Sequence, residues 1–283
     1  NGYKDIFLDN NATLNSGDDY YVTGTTFFQI YGLYCFDRNL RIILLKALLQ
    51  AEQNICTKVS YRFSEIYTSE FSHLNVNNFS KTNLPKATEL VSKLSNATQR
   101  NARHTMFSHY LTTHQDLPLW VLVTKLTFGE ITNFYKLITP NIQERILKDI
   151  HKEYTGEYKV SITDPTSTLI PVFSEILDVL VGYRNVCAHG DRLYNHRIIG
   201  PKKTIKKLTY YFVQTPKGSE SSVYGVLISL RLLLPRISYK CIIDEVINEL
   251  ILLSESLPVI QFNQVLARME LTLQWKQTLE LLQ

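Results

Sequence analysis

The strongest constraint on the fold is a run of apolar residues at helical spacing near the start of the chain. From Phe36 to Tyr67, apolar side chains recur with charged residues between them: Leu40, Leu44, Leu48, Ile55, Val59, Phe63 and Ile66. Spacings of three, four and seven positions match one face of an α-helix. The pattern predicts a long amphipathic helix, and Asp37 is predicted to be its N-cap.

Similar patterns cover most of the remaining chain. They predict helices over 86–113, 119–137, 141–154, 169–188, 241–254 and 263–282, separated by turn-forming residues. Residues 223–234 fit either a helix or a strand, and one small β element is predicted near 207–213. The sequence therefore predicts a mostly α fold, with a loop-rich segment over 1–24 and one helical domain over 25–283.

Composition narrows the functional classes. The chain has 283 residues, of which 45% are hydrophobic, so it can bury a large core. A formal charge of +4 permits nucleic-acid binding without requiring it. The scattered cysteines and the lack of an apolar run of membrane-spanning length predict a cytoplasmic protein without a membrane partner. With no paired carboxylates and no glycine-rich phosphate loop, the sequence predicts no metal and no cofactor.

The segment from Arg184 to Asn195 carries the most chemistry. It places Arg184, Asn185 and His189 at the end of an apolar helical run, and Gly190 is predicted to terminate that helix. Histidine suits proton transfer near neutral pH, and arginine offers a planar donor fork to phosphate oxygens. These residue types are suited to handling a phosphodiester without a metal.

The spacing alone is weak evidence. An arginine followed by a histidine, with four to six residues between them, is expected about once by chance in such a chain. The pattern occurs three times, as Arg103/His109, Arg145/His151 and Arg184/His189. The second pair is interpreted as a solvated helix face. The first pair is interpreted as part of a His-rich polar run, with substrate or scaffold contacts, rather than chemistry, as the alternative.

The third pair follows a buried apolar run, where an arginine needs a partner or a cavity. On an ideal helix, five residues separate two side chains by about 140°. Arg184 and His189 can therefore converge only if the helix ends near His189 or a second chain completes the site. A structural role for Arg184, bonded to carbonyl groups at the core edge, is the alternative.

Three segments together carry a family resemblance. They are Arg184-Asn185-x-Cys187-Ala188-His189-x-x-Arg192-Leu193-x-Asn195, Phe36-Asp37-Arg38-x-Leu40-Arg41, and Pro118-Leu119-Trp120-Val121 continuing to Leu126-Thr127-Phe128-Gly129, with His109-Tyr110 ahead of the last. In order and content they resemble the Abi-like proteins (the AbiD/AbiF group) of the HEPN ribonuclease superfamily. Gly190 and Asp191 depart from the His-Asn common in that group, and Tyr194 stands where Trp is common.

The resemblance implies a HEPN-type helical bundle and metal-independent RNA cleavage by Arg184, Asn185 and His189. In that reaction the RNA 2′-OH attacks the adjacent phosphorus and leaves a 2′,3′-cyclic phosphate and a 5′-OH. One histidine cannot easily act as base and acid at once, so a homodimer with facing segments is expected. The resemblance also implies an anti-phage toxin of abortive infection, restrained by a small noncoding RNA, with RNA rather than DNA as its target.

Further residues are candidates for RNA contact. A basic run followed by aromatic residues suits phosphate contact and base stacking, although a lysine-guarded hairpin edge explains it equally well: Lys202, Lys203, Lys206, Lys207, Tyr210 and Tyr211. Arg192 and Asn195 are predicted to position RNA or to lock the turn after the motif. Trp120 and Phe128 are predicted to pack in the core.

Two other functions fit the sequence. A non-catalytic RNA-binding module that holds a regulatory small RNA would account for the Gly190-Asp191 departure. A structural interaction protein, held together by helices such as those over 241–282, would have no salt-sensitive affinity for RNA.

Overall fold

The chain is mostly α-helical, which confirms the predicted fold class. The structure is a computed structural model, and it describes residues 2–162, 166–198 and 221–283. Within those ranges there are twelve α-helices, and the β structure consists of two isolated bridges. The helices are α1 (Asn10–Ser16), α2 (Phe27–Ile66), α3 (Leu84–Asn101), α4 (Thr105–His109), α5 (Leu119–Leu122), α6 (Phe128–Leu137), α7 (Pro140–Tyr158), α8 (Thr166–His189), α9 (Val223–Arg231), α10 (Arg236–Ser256), α11 (Val259–Met269) and α12 (Trp275–Glu280). The β element predicted near 207–213 lies outside the described residues.

The residues group into two compact units. The motif unit comprises Asn1–Leu48, Gly182–Arg231 and Pro235–Gln283, and the central unit comprises Leu49–Val181 and Leu232–Leu234. Helices α2 and α8 each contribute residues to both units. The Arg184–His189 segment belongs to the motif unit.

In the motif unit, α9 is the most deeply buried helix. All nine of its residues are buried, and α10 packs against it. The Tyr239 hydroxyl donates to the Leu227 carbonyl oxygen at 2.9 Å. A helix that is apolar on every side must be enclosed by other elements. Such a segment has no polar face, so its periodicity alone could not distinguish a helix from a strand. The structure makes it a helix.

In the central unit, three phenylalanine rings join α2, the loop before α3 and α6. Phe63, Phe79 and Phe134 have ring centroids 5.1–5.7 Å apart. The Arg62 guanidinium donates two hydrogen bonds of 2.6 Å to the Asp149 carboxylate, linking α2 to α7. The buried aromatic rings form the core of this unit, and the bidentate Arg62–Asp149 ion pair holds α7 against α2.

The prediction that Asp37 caps the first long helix is wrong. Helix α2 begins at Phe27, where the Thr26 hydroxyl accepts from the Gln29 N–H and the Gln29 side chain accepts from the Thr26 N–H. This reciprocal pair is a capping box. Asp37 lies inside the helix and its carboxylate binds elsewhere.

Three predicted helices are interrupted, one of them over 263–282, where α11 ends at Met269 and α12 begins at Trp275. The segment over 86–113 was predicted as one helix. In the structure α3 ends at Asn101, α4 follows, and a π-helical turn covers Tyr110–His114. The segment over 119–137 breaks at Leu126, which is extended, before Thr127 and Glu130 form the capping box of α6. At the start of α6, local capping therefore overrides a continuous apolar pattern.

The N-terminal segment contains more order than its loop-like composition predicts. Asp9 caps α1 by accepting from the N–H groups of Asn11 and Ala12, and Gly17 ends the helix with a φ of 80°. Ile6 and Phe7, in a short 3₁₀ turn, are buried in the motif unit. The polar residues that indicated a loop serve here as helix caps.

Helix α8 is the described helix that meets the length and composition test for a membrane span. Its most apolar 18-residue window has a mean hydropathy of 1.2, and 44% of that window is buried inside the structure. Core helices of the same length meet this test too, so it carries little weight by itself.

Candidate functional site

The end of helix α8 presents the predicted catalytic residues. Gly190 adopts a left-handed φ of 77°, and the Asp191 N–H donates to the Val186 carbonyl oxygen at 3.2 Å. This bond, with glycine in the left-handed position, forms a Schellman cap. The helix stops at His189, as the sequence predicts.

The three predicted catalytic side chains differ in exposure. Asn185 and His189 are exposed, whereas Arg184 is half-buried. The Arg184 Nη1 donates to the Asn185 Oδ1 at 3.3 Å, so the guanidinium and the amide lie together. Because α8 stays helical to its end, His189 points about 140° away from Arg184 around the helix axis and lies about 7.5 Å further along it. The imidazole is accessible from solvent.

A buried carboxylate anchors the turn that follows, Gly190–Asn195 (the post-motif turn). Asp37, fully buried on α2, accepts hydrogen bonds from the backbone N–H groups of Leu193 at 3.1 Å and Tyr194 at 2.7 Å. It also accepts from the Tyr3 hydroxyl at 2.7 Å. A carboxylate with this many donors is a strong anchor, because hydrogen bonds to a charged acceptor are shorter and stronger than neutral ones.

Arg41 completes this anchor. One turn after Asp37 on α2, it forms an ion pair with the Asp37 carboxylate and donates to the Asp191 carbonyl oxygen at 3.2 Å. The guanidinium is nearly buried, so it needs a full-charge partner. Asp37 and Arg41, hereafter the turn clamp, hold the backbone on the C-terminal side of His189.

A second set of contacts fixes the far side of the turn. Arg192 donates to the Gly2 carbonyl oxygen, and its guanidinium lies 5.8 Å from the Tyr194 ring centroid. Arg268 donates to Asp5 at 2.6 Å and to the Tyr194 hydroxyl at 3.0 Å. The contacts of Arg192 favour the turn-locking interpretation. Asn195 is half-buried.

Burial keeps the neighbouring thiol and phenols protonated. It raises the pKa of the Cys187 thiol to about 12 and that of the Tyr194 phenol to about 12, and it raises the pKa of Tyr183 as well. At neutral pH these groups cannot accept a proton from a substrate. A proton acceptor in this segment must come from another group.

The remaining predicted residues are placed as follows. The basic and aromatic run is outside the described residues: Lys202, Lys203, Lys206, Lys207, Tyr210 and Tyr211. Arg145 is exposed and paired with Glu65. His151 is buried, which lowers its pKa to about 4, so the prediction of a solvated face is wrong for it.

The ion pair between Asp37 and Arg41 was not predicted from the sequence. Its signal was present, because Asp37 and Arg41 lie four positions apart inside an apolar helical run. An acid and a base at that spacing on a buried face pair with each other more readily than they cap a helix. In the part of the chain that the structure describes, no three His, Cys, Asp or Glu side chains are grouped to hold a metal ion.

Comparison with known families identifies the class. The model of a family described as Abi-like protein matches residues 1–195. The match covers more than half of the chain and ends with the post-motif turn, so the chain belongs to the Abi-like protein family. This membership associates it with abortive-infection defence. Neither the curated proteins nor the solved structures give a match.

Proposed function

We propose that this chain is a metal-independent endoribonuclease toxin of HEPN type, acting in abortive infection in the cytoplasm. The observation that carries the proposal is the placement of Arg184, Asn185 and His189 at one anchored helix end inside the family match. The proposal includes restraint by a small noncoding RNA partner.

The proposed chemistry is transfer within the RNA itself. The 2′-OH attacks the adjacent phosphorus while His189 accepts its proton, and the bond to the 5′ oxygen of the next nucleotide breaks. That oxygen leaves after gaining a proton, which gives a 2′,3′-cyclic phosphate and a 5′-OH end. Positioned proton transfer of this kind contributes about 10²–10⁴-fold to a rate.

Arg184 and Asn185 supply the electrostatic part. Extra negative charge develops on the phosphoryl oxygens as the fifth bond forms, and a guanidinium offers them parallel donors. The Asn185 amide accepts from Arg184 and keeps its own N–H donors for the phosphate. Because Arg184 is half-buried, its charge acts in a medium of lower dielectric than water.

The reaction needs a second proton-transfer group, and a second copy of the chain supplies it in this proposal. Within one copy, Arg184 and His189 diverge on α8, so facing segments across a two-fold axis bring two imidazoles to one phosphate. The proposed enzyme is therefore a homodimer.

An exposed aromatic surface in the motif unit suits this dimer. Phe27, Phe28, Tyr31 and Tyr34 (the aromatic stripe) all lie exposed at the start of α2. Ring contacts continue from Tyr34 to Tyr3 and from Tyr3 to Tyr194 in the post-motif turn. We assign the stripe to a second copy, since aromatic residues are enriched at subunit interfaces and this surface is connected to the catalytic turn.

The direct test is RNA cleavage by purified protein in the presence of EDTA. We expect His189→Ala and Arg184→Ala each to lower the cleavage rate by about 100-fold or more. Arg145→Ala is the matched control, because it removes an exposed guanidinium from the same Arg/His pattern on α7. Its rate should stay within about two-fold of wild type.

Three results would overturn the assignment. Undiminished cleavage by His189→Ala would remove the histidine from the mechanism, and loss of all cleavage in EDTA would point to a metal nuclease. A wild-type protein that binds RNA tightly and never cleaves it would establish the non-catalytic RNA-binding module instead.

A further inference from the structure

A cluster of four rings lies on the surface of the central unit, away from the catalytic segment in sequence. His109 and His114 have ring centroids 5.4 Å apart, and Tyr110 lies 5.3 Å from His114. Trp120 meets Tyr110 edge-to-face at 5.4 Å. We call His109, Tyr110, His114 and Trp120 the ring cluster.

The ring cluster is exposed, although the sequence predicted core packing for its tryptophan. Trp120 is 51% exposed, which corrects the expectation that it is buried, while Phe128 is buried as predicted. His109 and His114 are exposed, and Tyr110 is half-buried. A large ring left in solvent loses the stabilisation that burial would give it, so its exposure calls for a ligand or partner that covers it.

The backbone of the ring cluster is unusual. Residues Tyr110–His114 form a π-helical turn, and Gln115 ends it in the left-handed region with a φ of 52°. A π-turn brings residues five apart onto one side, which explains why the His109 and His114 rings meet. Such turns are rare and frequently occur at functional sites.

The chain around the ring cluster is basic. From Leu90 to Gln115 it has no Asp or Glu, and Arg103 is its cation nearest in sequence to His109, since Lys93 and Arg100 lie with Glu130 instead. The acids that flank this stretch are engaged, since Glu89 pairs with Lys93 and Asp116 accepts from the Phe71 N–H at 2.7 Å. Arg103 is exposed just before α4, the helix that carries His109.

Aromatic rings and cationic side chains together recognise single-stranded nucleic acid. Every base offers a face for stacking, and guanidinium and imidazole N–H groups donate to phosphate oxygens. A duplex hides its base faces, whereas an unpaired strand can place them on Tyr110 and Trp120.

We propose that the ring cluster, with Arg103, is a second RNA-binding site, which stacks one or two bases of a single-stranded segment. The proposal rests on the proposed function, since it gives an RNA-cleaving toxin a site that holds its RNA outside the catalytic segment. The ring-cluster proposal and the catalytic proposal are tested by different measurements.

The test uses the fluorescence of Trp120. The chain has two tryptophans, so Trp275→Phe leaves Trp120 as the sole tryptophan. This variant is titrated with a 12-nucleotide 2′-O-methyl oligoadenylate, which has no free 2′-OH and cannot be cleaved by the proposed reaction. We expect quenching of Trp120 on binding, and an affinity that falls as salt rises.

Matched variants locate the site. In the Trp275→Phe background, Tyr110→Ala and Arg103→Ala should each weaken binding, the first by about ten-fold. Tyr61→Ala is the control, because Tyr61 is an exposed tyrosine of the same unit that lies beside Arg62. Its affinity should be unchanged, and circular dichroism should show the same helicity for all variants.

Three outcomes would overturn the ring-cluster proposal while leaving the catalytic one intact. The first is binding of a labelled oligonucleotide without any change in Trp120 fluorescence. The second is equal quenching by a duplex. The third is a Trp120 signal that depends on protein concentration without RNA, which would assign the surface to self-association. Conversely, quenching in a protein that never cleaves RNA would preserve the ring cluster and remove the catalytic proposal.

Discussion

The chain carries two pairs of side chains five residues apart, and the helices beneath them make the pairs different. His109 ends α4 and His114 ends the π-turn that follows it, and their rings are 5.4 Å apart. Arg184 and His189 lie on a regular α-helix, which separates them by about 140°. Equal spacing in sequence thus brings one pair of side chains together and separates the other.

The backbone after the two pairs is also held differently. The Arg184–His189 segment is followed by a turn held by the buried Asp37 and Arg41. The π-turn ends at Gln115 in an exposed left-handed conformation. A fixed backbone suits proton transfer, which depends on placement within a fraction of an ångström, while base stacking tolerates looser placement.

The largest expected effect tests whether only the catalytic pair needs a second copy. Phe28→Glu with Tyr31→Glu places charge on the aromatic stripe and should convert a dimer to a monomer in sedimentation velocity. Cleavage should fall by about 100-fold or more, because the second imidazole is lost. Quenching at Trp120 should persist.

The control for this pair of changes is Ile237→Glu, at an equally exposed apolar residue on α10. It should leave both the dimer and the cleavage rate unchanged. A wild-type protein that sediments as a monomer and cleaves RNA would contradict the need for a second copy and erase the contrast between the two pairs.

The next effect tests the anchored turn. Asp37→Ala leaves the Arg41 guanidinium buried without its carboxylate and removes the acceptor of two backbone N–H groups. The free energy of unfolding should fall by about 3–5 kcal/mol. Urea denaturation measures it.

Two further variants frame that result. Asp37→Asn keeps an acceptor oxygen, so it should lose less stability and yield folded protein whose cleavage is reduced. Asp178→Ala removes an exposed ion pair with Lys136 and should cost about 1 kcal/mol or less. Equal costs for Asp37→Ala and Asp178→Ala would show that the turn clamp does not hold the turn.

The smallest effect concerns acid stability of the central unit. Burial lowers the pKa of His73 to about 4, against the opposing Asp116 carboxylate, and burial lowers that of His151 to about 4. Between pH 6.5 and about 4 the unfolded chain binds protons that the folded chain does not. The free energy of unfolding should therefore fall as the pH is lowered through this window.

Urea denaturation at pH 7.5 and pH 4.5 checks this slope. His73→Leu should flatten it, whereas His104→Ala, at an exposed histidine, should not. An unchanged slope in His73→Leu would remove that histidine as the cause. Binding at the ring cluster is accordingly best compared above pH 6.5, where the central unit keeps its full stability.

The sequence predicted elements whose signals are local. Helix α8 and its stop at Gly190 follow from a long apolar run and a glycine. The break before α6 was missed although Thr127 and Glu130 form a recognisable capping box, because the apolar period continues across it. The π-turn has no local signal, so the exposure of Trp120 could not be predicted.

The candidate site divides in the same way. Arg184, Asn185 and His189 were found from a short motif. Their anchor could be found only in part: the spacing of Asp37 and Arg41 is a local signal, but Asp37 meets Leu193 and Tyr194 across more than 150 positions of chain. Contacts at that separation depend on the whole packing of the motif unit, and no pattern within one segment encodes them.

The chemistry of the RNA ends tests the central claim most directly. RNA cleaved by the wild-type protein in EDTA is analysed by mass spectrometry beside RNA treated with His189→Ala. The account predicts 2′,3′-cyclic phosphate and 5′-OH ends from the wild type and intact RNA from the variant. Ends bearing 3′-OH and 5′-phosphate, or cyclic ends in equal yield from the variant, would contradict it.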